Sequence, residues 1–187
     1  MLGMKFAFIV GSIIILIIEV IKFIKRNKEE KFLSFREVKN IAFYFYILLV
    51  ITVTFFPLVI SVNRRSEPCM NIVPVFNTIK DIYEVPIGME SYMVRFWIKN
   101  ILGNILLLLP LGIFIPMFFK RLRSFKSTVI TCALVSLSIE VVQYISMYFG
   151  NFRSCDIDDI ILNTLGGMIG FIIYKVINKK VDLRIEF

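Results

Sequence analysis

A single acid inside an apolar helix is the residue that most demands a chemical explanation. Glu140 lies near the middle of an apolar run from Ser127 to Phe149. A carboxylate near mid-span costs about 3 kcal/mol on the insertion scale, and the ten or so Val, Ile, Leu and Phe residues of that run return only ~3–6 kcal/mol. Glu140 therefore needs partners, and an ionisable residue so placed marks a site by default. Cys132, Ser136, Glu140, Gln143 and Met147 share one stripe of the helix, so that stripe should face protein or water. In an enzyme, Glu140 would be the candidate catalytic residue, as general acid or base.

The next apolar run opens with CDIDDIILNTLGGMIG. At helical spacing Asp156, Asp159, Asn163, Gly166 and Gly170 fall within about 80° of arc. Asp156 and Asp159 are candidate ligands for Mg²⁺, a hard ion that takes carboxylates and water. The competing reading is that acids here simply favour a helix N-terminus. Gly166 and Gly170 form a GxxxG spacing that admits a second helix closely, and Gly167 adjoins them as a packing residue. An earlier run opens with Asn100, Gly103 and Asn104, where the asparagines are either helix caps or part of a site. Pro110 should bend that helix and free a carbonyl near Leu106. Gln143, Asn104 and Asn163 each lie roughly 6–10 Å inside one end of their helices. The simplest arrangement is one outward-opening polar pocket lined by Asn100, Asn104, Glu140, Gln143, Asp156, Asp159 and Asn163. Arg153, in the tight link before Asp156, is the nearest candidate countercharge. Glu19, three residues before Lys22, reads instead as a snorkelling pair.

Five stretches are long and apolar enough to carry these residues across a bilayer: 6–24, 41–62, 100–119, 127–149 and 157–177. The chain has 187 residues, 58% apolar and 19% charged, with a mean hydropathy of +0.80. A soluble domain of this size could not bury so much apolar surface. The expected fold is therefore all-α: a polytopic transmembrane bundle of five spans. The first span reads as a retained anchor, since its basic cluster follows the apolar run. Residues 1–40 form this anchor and a basic loop, and 41–180 a four-helix membrane core with an outer loop at 63–99.

Basic residues set the orientation. Segments 22–39, 120–126 and the tail from Lys175 carry 15, against 7 on the other side. The positive-inside rule then places the N-terminus outside and the C-terminus in the cytoplasm. Tyr92 and Trp97 would sit at the outer interface just before the third span. Loop 63–99 should lie on the outer membrane surface.

Composition also excludes chemistry. There is no histidine, which removes Ser-His-Asp and Cys-His catalysis and His-ligated zinc or haem. Cys69, Cys132 and Cys155 are isolated, so no zinc or iron–sulfur site is expected, and no cofactor is implied. Cys69 and Cys155, both expected outside, could pair. The net charge of +8 is assigned to topology rather than to nucleic acid, because a basic patch needs a soluble face to act from.

Taken together, Asn100-x₃-Asn104, Pro110-Leu111-Gly112, Glu140-x₂-Gln143, and Arg153-x₂-Asp156-x₂-Asp159-x₃-Asn163-x₂-Gly166-x₃-Gly170 resemble the VanZ family of bacterial membrane proteins. NIVPVF at 71–76 is similar to a segment that precedes this core in the family, with Val75 inserted between Pro and Phe. The resemblance covers about residues 44–177. It implies a role in low-level resistance to teicoplanin, a lipoglycopeptide that binds cell-wall precursors, and a multi-pass location in the cell membrane. By residue it points to Asn104, Glu140, Gln143, Arg153, Asp156, Asp159 and Asn163. The expected partners are the lipid bilayer and a lipid-linked cell-wall precursor or lipoglycopeptide; a homo-oligomer stays open. Three other readings remain: an intramembrane enzyme using Glu140 as acid or base, a transporter, and an accessory bundle.

Overall fold

The computed structural model describes residues 3–25, 34–57, 70–73, 88–149, 151 and 154–185. It is mostly helical, and five of its helices are long and apolar enough to cross a membrane. They are α1 (Met4–Ile24), α2 (Phe35–Phe55), α3 (Glu90–Phe118), α4 (Phe125–Met147) and α5 (Ile157–Ile185). Two short strands, β1 (Met70–Asn71) and β2 (Cys155–Asp156), pair in parallel, with Met70 opposite Cys155 and Asn71 opposite Asp156. The chain divides into two compact units, one holding α1 and α2, the other α3 to α5 with both strands.

The helix ends depart from expectation where local chemistry outweighs hydropathy. α2 starts at Phe35, six residues before its apolar run. Ser34 and Glu37 form a capping box there, each side chain taking the other's backbone N–H. It stops at Phe55 rather than at Val62. Phe56 is already extended, as the residue before Pro57 must be; residues 58–62 lie outside the described part. α3 begins at Glu90, not Asn100, so Tyr92 and Trp97 belong to the helix and not to a preceding loop. Neither Asn100 nor Asn104 is therefore a cap; Met89 holds that position. Residues 63–69 and 74–87 of the expected outer loop lie outside the described residues. α3 also runs on through Pro110 and Pro116. At its far end the Arg123 Nε donates to the Pro116 carbonyl at 3.0 Å, satisfying one of the last-turn acceptors.

In the first unit α1 packs against α2 and buries no residue of its own. Lys22 pairs with Glu19 at 2.7 Å, as its spacing suggests. In α2 the Thr52 and Thr54 hydroxyls donate to the carbonyls of Leu48 and Val50, one turn back. That geometry gives each hydroxyl an acceptor within its own apolar helix.

In the second unit α5 packs mainly on α3 and secondarily on α4. Glycine makes this possible. A Cβ on Gly166 would run into the Ile105 carbonyl, and one on Gly170 into the Leu109 carbonyl. From the other side, a Cβ on Gly112 would strike the Gly167 carbonyl, so α3 and α5 meet backbone to backbone. Gly167 itself faces the Cys132 side chain of α4. Leu108, Leu111 and Ile115 of α3, Ile139 and Met147 of α4, and Phe171 and Tyr174 of α5 complete the core.

Candidate functional site

The buried face of α4 comprises Thr128, Cys132, Ser136, Ile139, Glu140, Gln143 and Met147. It therefore contains the whole polar stripe, packed into the unit. Glu140 is 1% exposed. Its Oε2 accepts the backbone N–H of Asp156 at 3.0 Å. The Cys155 thiol lies near this carboxylate. Glu140 thus pins β2 and the start of α5 to α4.

Asp156 is the hub of the arrangement. It immediately precedes α5, and its Oδ1 accepts the Asp158 N–H at 2.9 Å, as a helix N-cap does. The same oxygen accepts from Asn71 Nδ2 at 3.0 Å. The β1–β2 pairing sets that contact by placing Asn71 opposite Asp156. Asp158 and Asp159 occupy the first turn of α5.

The polar stripe of α5 divides between two neighbours. Asp159 accepts a short hydrogen bond from Asn104 Nδ2 on α3. Asn163 turns to α4, where its Nδ2 donates to Ser136 Oγ at 3.0 Å. Asn163 is 1% exposed, and its Oδ1 has no hydrogen-bond partner among the described residues. Asn104 lies one turn from Asn100, with the two amides 3.4 Å apart.

A cleft of about 190 Å³ opens between α3 and α5, lined by Trp97, Asn100, Ile101, Asp156, Asp158 and Ile161 among others. The residues that the sequence grouped in one pocket occupy three adjoining places, linked through Asp156 and Asn104. Asn100 and Asp156 line the cleft. Glu140 and Asn163 are buried where α4 meets β2 and α5, Gln143 lies on the buried face of α4, and the Asn104–Asp159 pair joins α3 to α5. Arg153, the expected countercharge, lies outside the described residues.

As metal ligands, Asp156 and Asp159 already share an oxygen each with amide donors. Among the described residues no three Cys, Asp or Glu side chains gather in the manner of a metal centre. Cys155 carries a free thiol, and Cys69 lies outside the description. Burial pushes the Cys155 thiol above its ordinary range, and the carboxylates of Glu140, Asp156 and Asp159 push it further.

Three contributors escaped the sequence reading of this site: Asn71, Asp158 and Trp97. Asn71 opens NIVPVF, but its partner lies 85 residues away, and nothing in the spacing announces it. Trp97 was legible in principle, since Trp97, Asn100 and Ile101 stand at i, i+3 and i+4 on one helical face.

A sequence model of the VanZ/LLP1 family matches residues 43–178. The chain is also similar to Protein VanZ of Enterococcus faecium, with 25% identity over 114 residues, 61% of this chain and 65% of VanZ. The match thus spans just under two thirds of that relative. No solved structure matches. The family match takes in α3, α4, both strands and α5 as far as Asn178, with every polar contact of the site, and the chain belongs to the VanZ/LLP1 family.

Proposed function

We propose that this protein resides in the cell membrane and lowers susceptibility to lipoglycopeptides of the teicoplanin class. In this reading the end of α3–α5 that carries Asp156 faces outward and engages a polar head group, either of the lipoglycopeptide or of a lipid-linked cell-wall precursor. The cleft beside Trp97, Asn100 and Asp156 receives the ligand. Glu140, Gln143, Asn104, Asp159 and Asn163 hold its walls, and Arg153 supplies a countercharge. The N-terminus is outside and the C-terminus cytoplasmic, in keeping with the 15 to 7 distribution of basic residues.

The observation that carries this reading is the convergence on Asp156. Its backbone is held by α4, its carboxylate by β1, and the cleft opens beside it. Such cross-bracing fixes polar groups in place before a ligand arrives, which is what a binding site in a membrane protein requires. Family membership supplies the link to glycopeptide resistance.

The test is a susceptibility measurement in a deletion strain. Complementation with the wild-type gene should raise the inhibitory concentration of teicoplanin and leave that of vancomycin unchanged. Glu140→Gln and Asn100→Leu should each return teicoplanin susceptibility to the deletion level while the protein still reaches the membrane. Unchanged resistance in both variants, at wild-type protein levels, refutes the proposed site.

A further inference from the structure

The α1–α2 hairpin contains a groove that the proposed function does not use. The helices come together at Gly11, where a Cβ would overlap the Leu48 side chain. From Gly11 to Lys22 they flank a groove of about 500 Å³ with Ile14, Ile15, Ile18 and Ile47 along its sides. By the helical rise this is about 16 Å, close to half the ~30 Å hydrocarbon thickness and so the depth of one leaflet. Lys22 and Tyr44 line its charged end, with the Lys22 Nζ 5.2 Å from the Tyr44 ring centroid.

Charge selects the occupant. The Lys22 side chain is 54% exposed, and Glu19, the acid lining the groove, is bound to it. Lys25 follows at the end of α1, and Arg36 stands exposed at the start of α2. Lys39 is nearby on α2, against the acids Glu19 and Glu37, so the described charges at this end are four basic to two acidic. An apolar slot one leaflet deep, ending in excess positive charge at the interface, matches an acyl chain joined to a phosphate.

We propose that the α1–α2 groove binds one anionic phospholipid, with an acyl chain along Ile14, Ile15 and Ile18 and the headgroup phosphate at Lys22 and Lys25. The groove belongs to the other compact unit, so this inference stands or falls apart from the resistance reading. It also holds for either orientation of the chain.

The experiment uses the full-length protein in vesicles that contain phosphatidylglycerol with a diazirine on its acyl chain. Parallel vesicles contain phosphatidylcholine with the same tail. After photolysis, peptides of α1 and α2 that line the groove should carry the phosphatidylglycerol label about fivefold more than the phosphatidylcholine label, the preference one lysine confers at an anionic headgroup. Lys22→Gln with Lys25→Gln should abolish that preference. Ile15→Trp, which fills the slot, should remove the label from the groove. Equal labelling of the wild-type protein by the two lipids overturns the proposal, as does labelling that Ile15→Trp leaves unchanged. The wild-type ratio decides the matter even if a variant fails to insert.

Discussion

In α1 and α2 the side-chain hydrogen bonds of Lys22, Ser34 and Thr52 close within three or four residues. The α3–α5 unit has such local bonds too, at Thr131, Ser138 and Thr164, but adds bonds that join residues 16, 27, 55 and 85 positions apart. The glycines differ in the same way. Gly11 faces the flexible end of Leu48, whereas Gly112, Gly166 and Gly170 face backbone. A polar group satisfied within its own turn makes its helix tolerable to lipid but says nothing about neighbours. One satisfied across helices fixes depth, rotation and partner together. The second unit therefore has a defined polar geometry, and the hairpin a groove bordered by lipid-compatible surfaces.

The largest effect should separate the two kinds of glycine. Gly170→Ala forces a Cβ into the Leu109 carbonyl and should cost about 3 kcal/mol or more, since backbone cannot step aside. Gly11→Ala meets only a movable Leu48 side chain, and thermal unfolding in detergent should show a much smaller shift. Equal losses in the two variants would erase the distinction.

Next in size, Glu140→Ala strips the acceptor from the part-buried Asp156 N–H and should cost about 1–2 kcal/mol, the lower part of the penalty for an orphaned polar group. Glu140→Gln keeps an acceptor and should lose less than half as much in the same assay.

Double-mutant cycles sharpen the contrast between local and long-range bonds. Asn104→Leu with Asp159→Leu should show a coupling of about 1 kcal/mol, within the range found for hydrogen bonds between membrane helices. Glu19→Gln with Lys22→Gln should couple by less than ~0.5 kcal/mol, as exposed pairs do.

The smallest effect is kinetic. The Cys155 thiol ionises above its ordinary range, so maleimide should react with it more slowly than with an unburied cysteine at neutral pH. The rate should climb as pH rises through that elevated range. Glu140→Gln removes a nearby negative charge and should shift the climb toward lower pH. A rate profile identical to that of a free thiol would contradict the burial and charge around β2.

How far each part could be read from sequence follows from the range of the interactions involved. Hydropathy over some twenty residues is a local sum, so five helices were legible. Their ends were less so. The Ser34–Glu37 capping box and Pro57 are local signals that the apolar count overrode. The early start of α3 lay in the spacing of Met89, Met93, Phe96 and Trp97, which fits a surface helix as well as a longer span. The polar stripe of α4 was legible because a 3.6-residue period assigns side chains to one face.

The sequence by itself thus determined the membrane class, the helices, the face that carries Glu140, and the small residues that allow close packing. Tertiary structure decided what each face meets. Asp159, Gly166 and Gly170 go to α3, while Asn163 goes to α4, although these four lie close together in helical arc. The parallel β1–β2 contact brings Asn71 to Asp156, and the single pocket expected from spacing becomes an open cleft beside a buried seam. Periodicity fixes a side chain's angle about its own axis. Which partner occupies that direction is set only when helices from distant parts of the chain pack together.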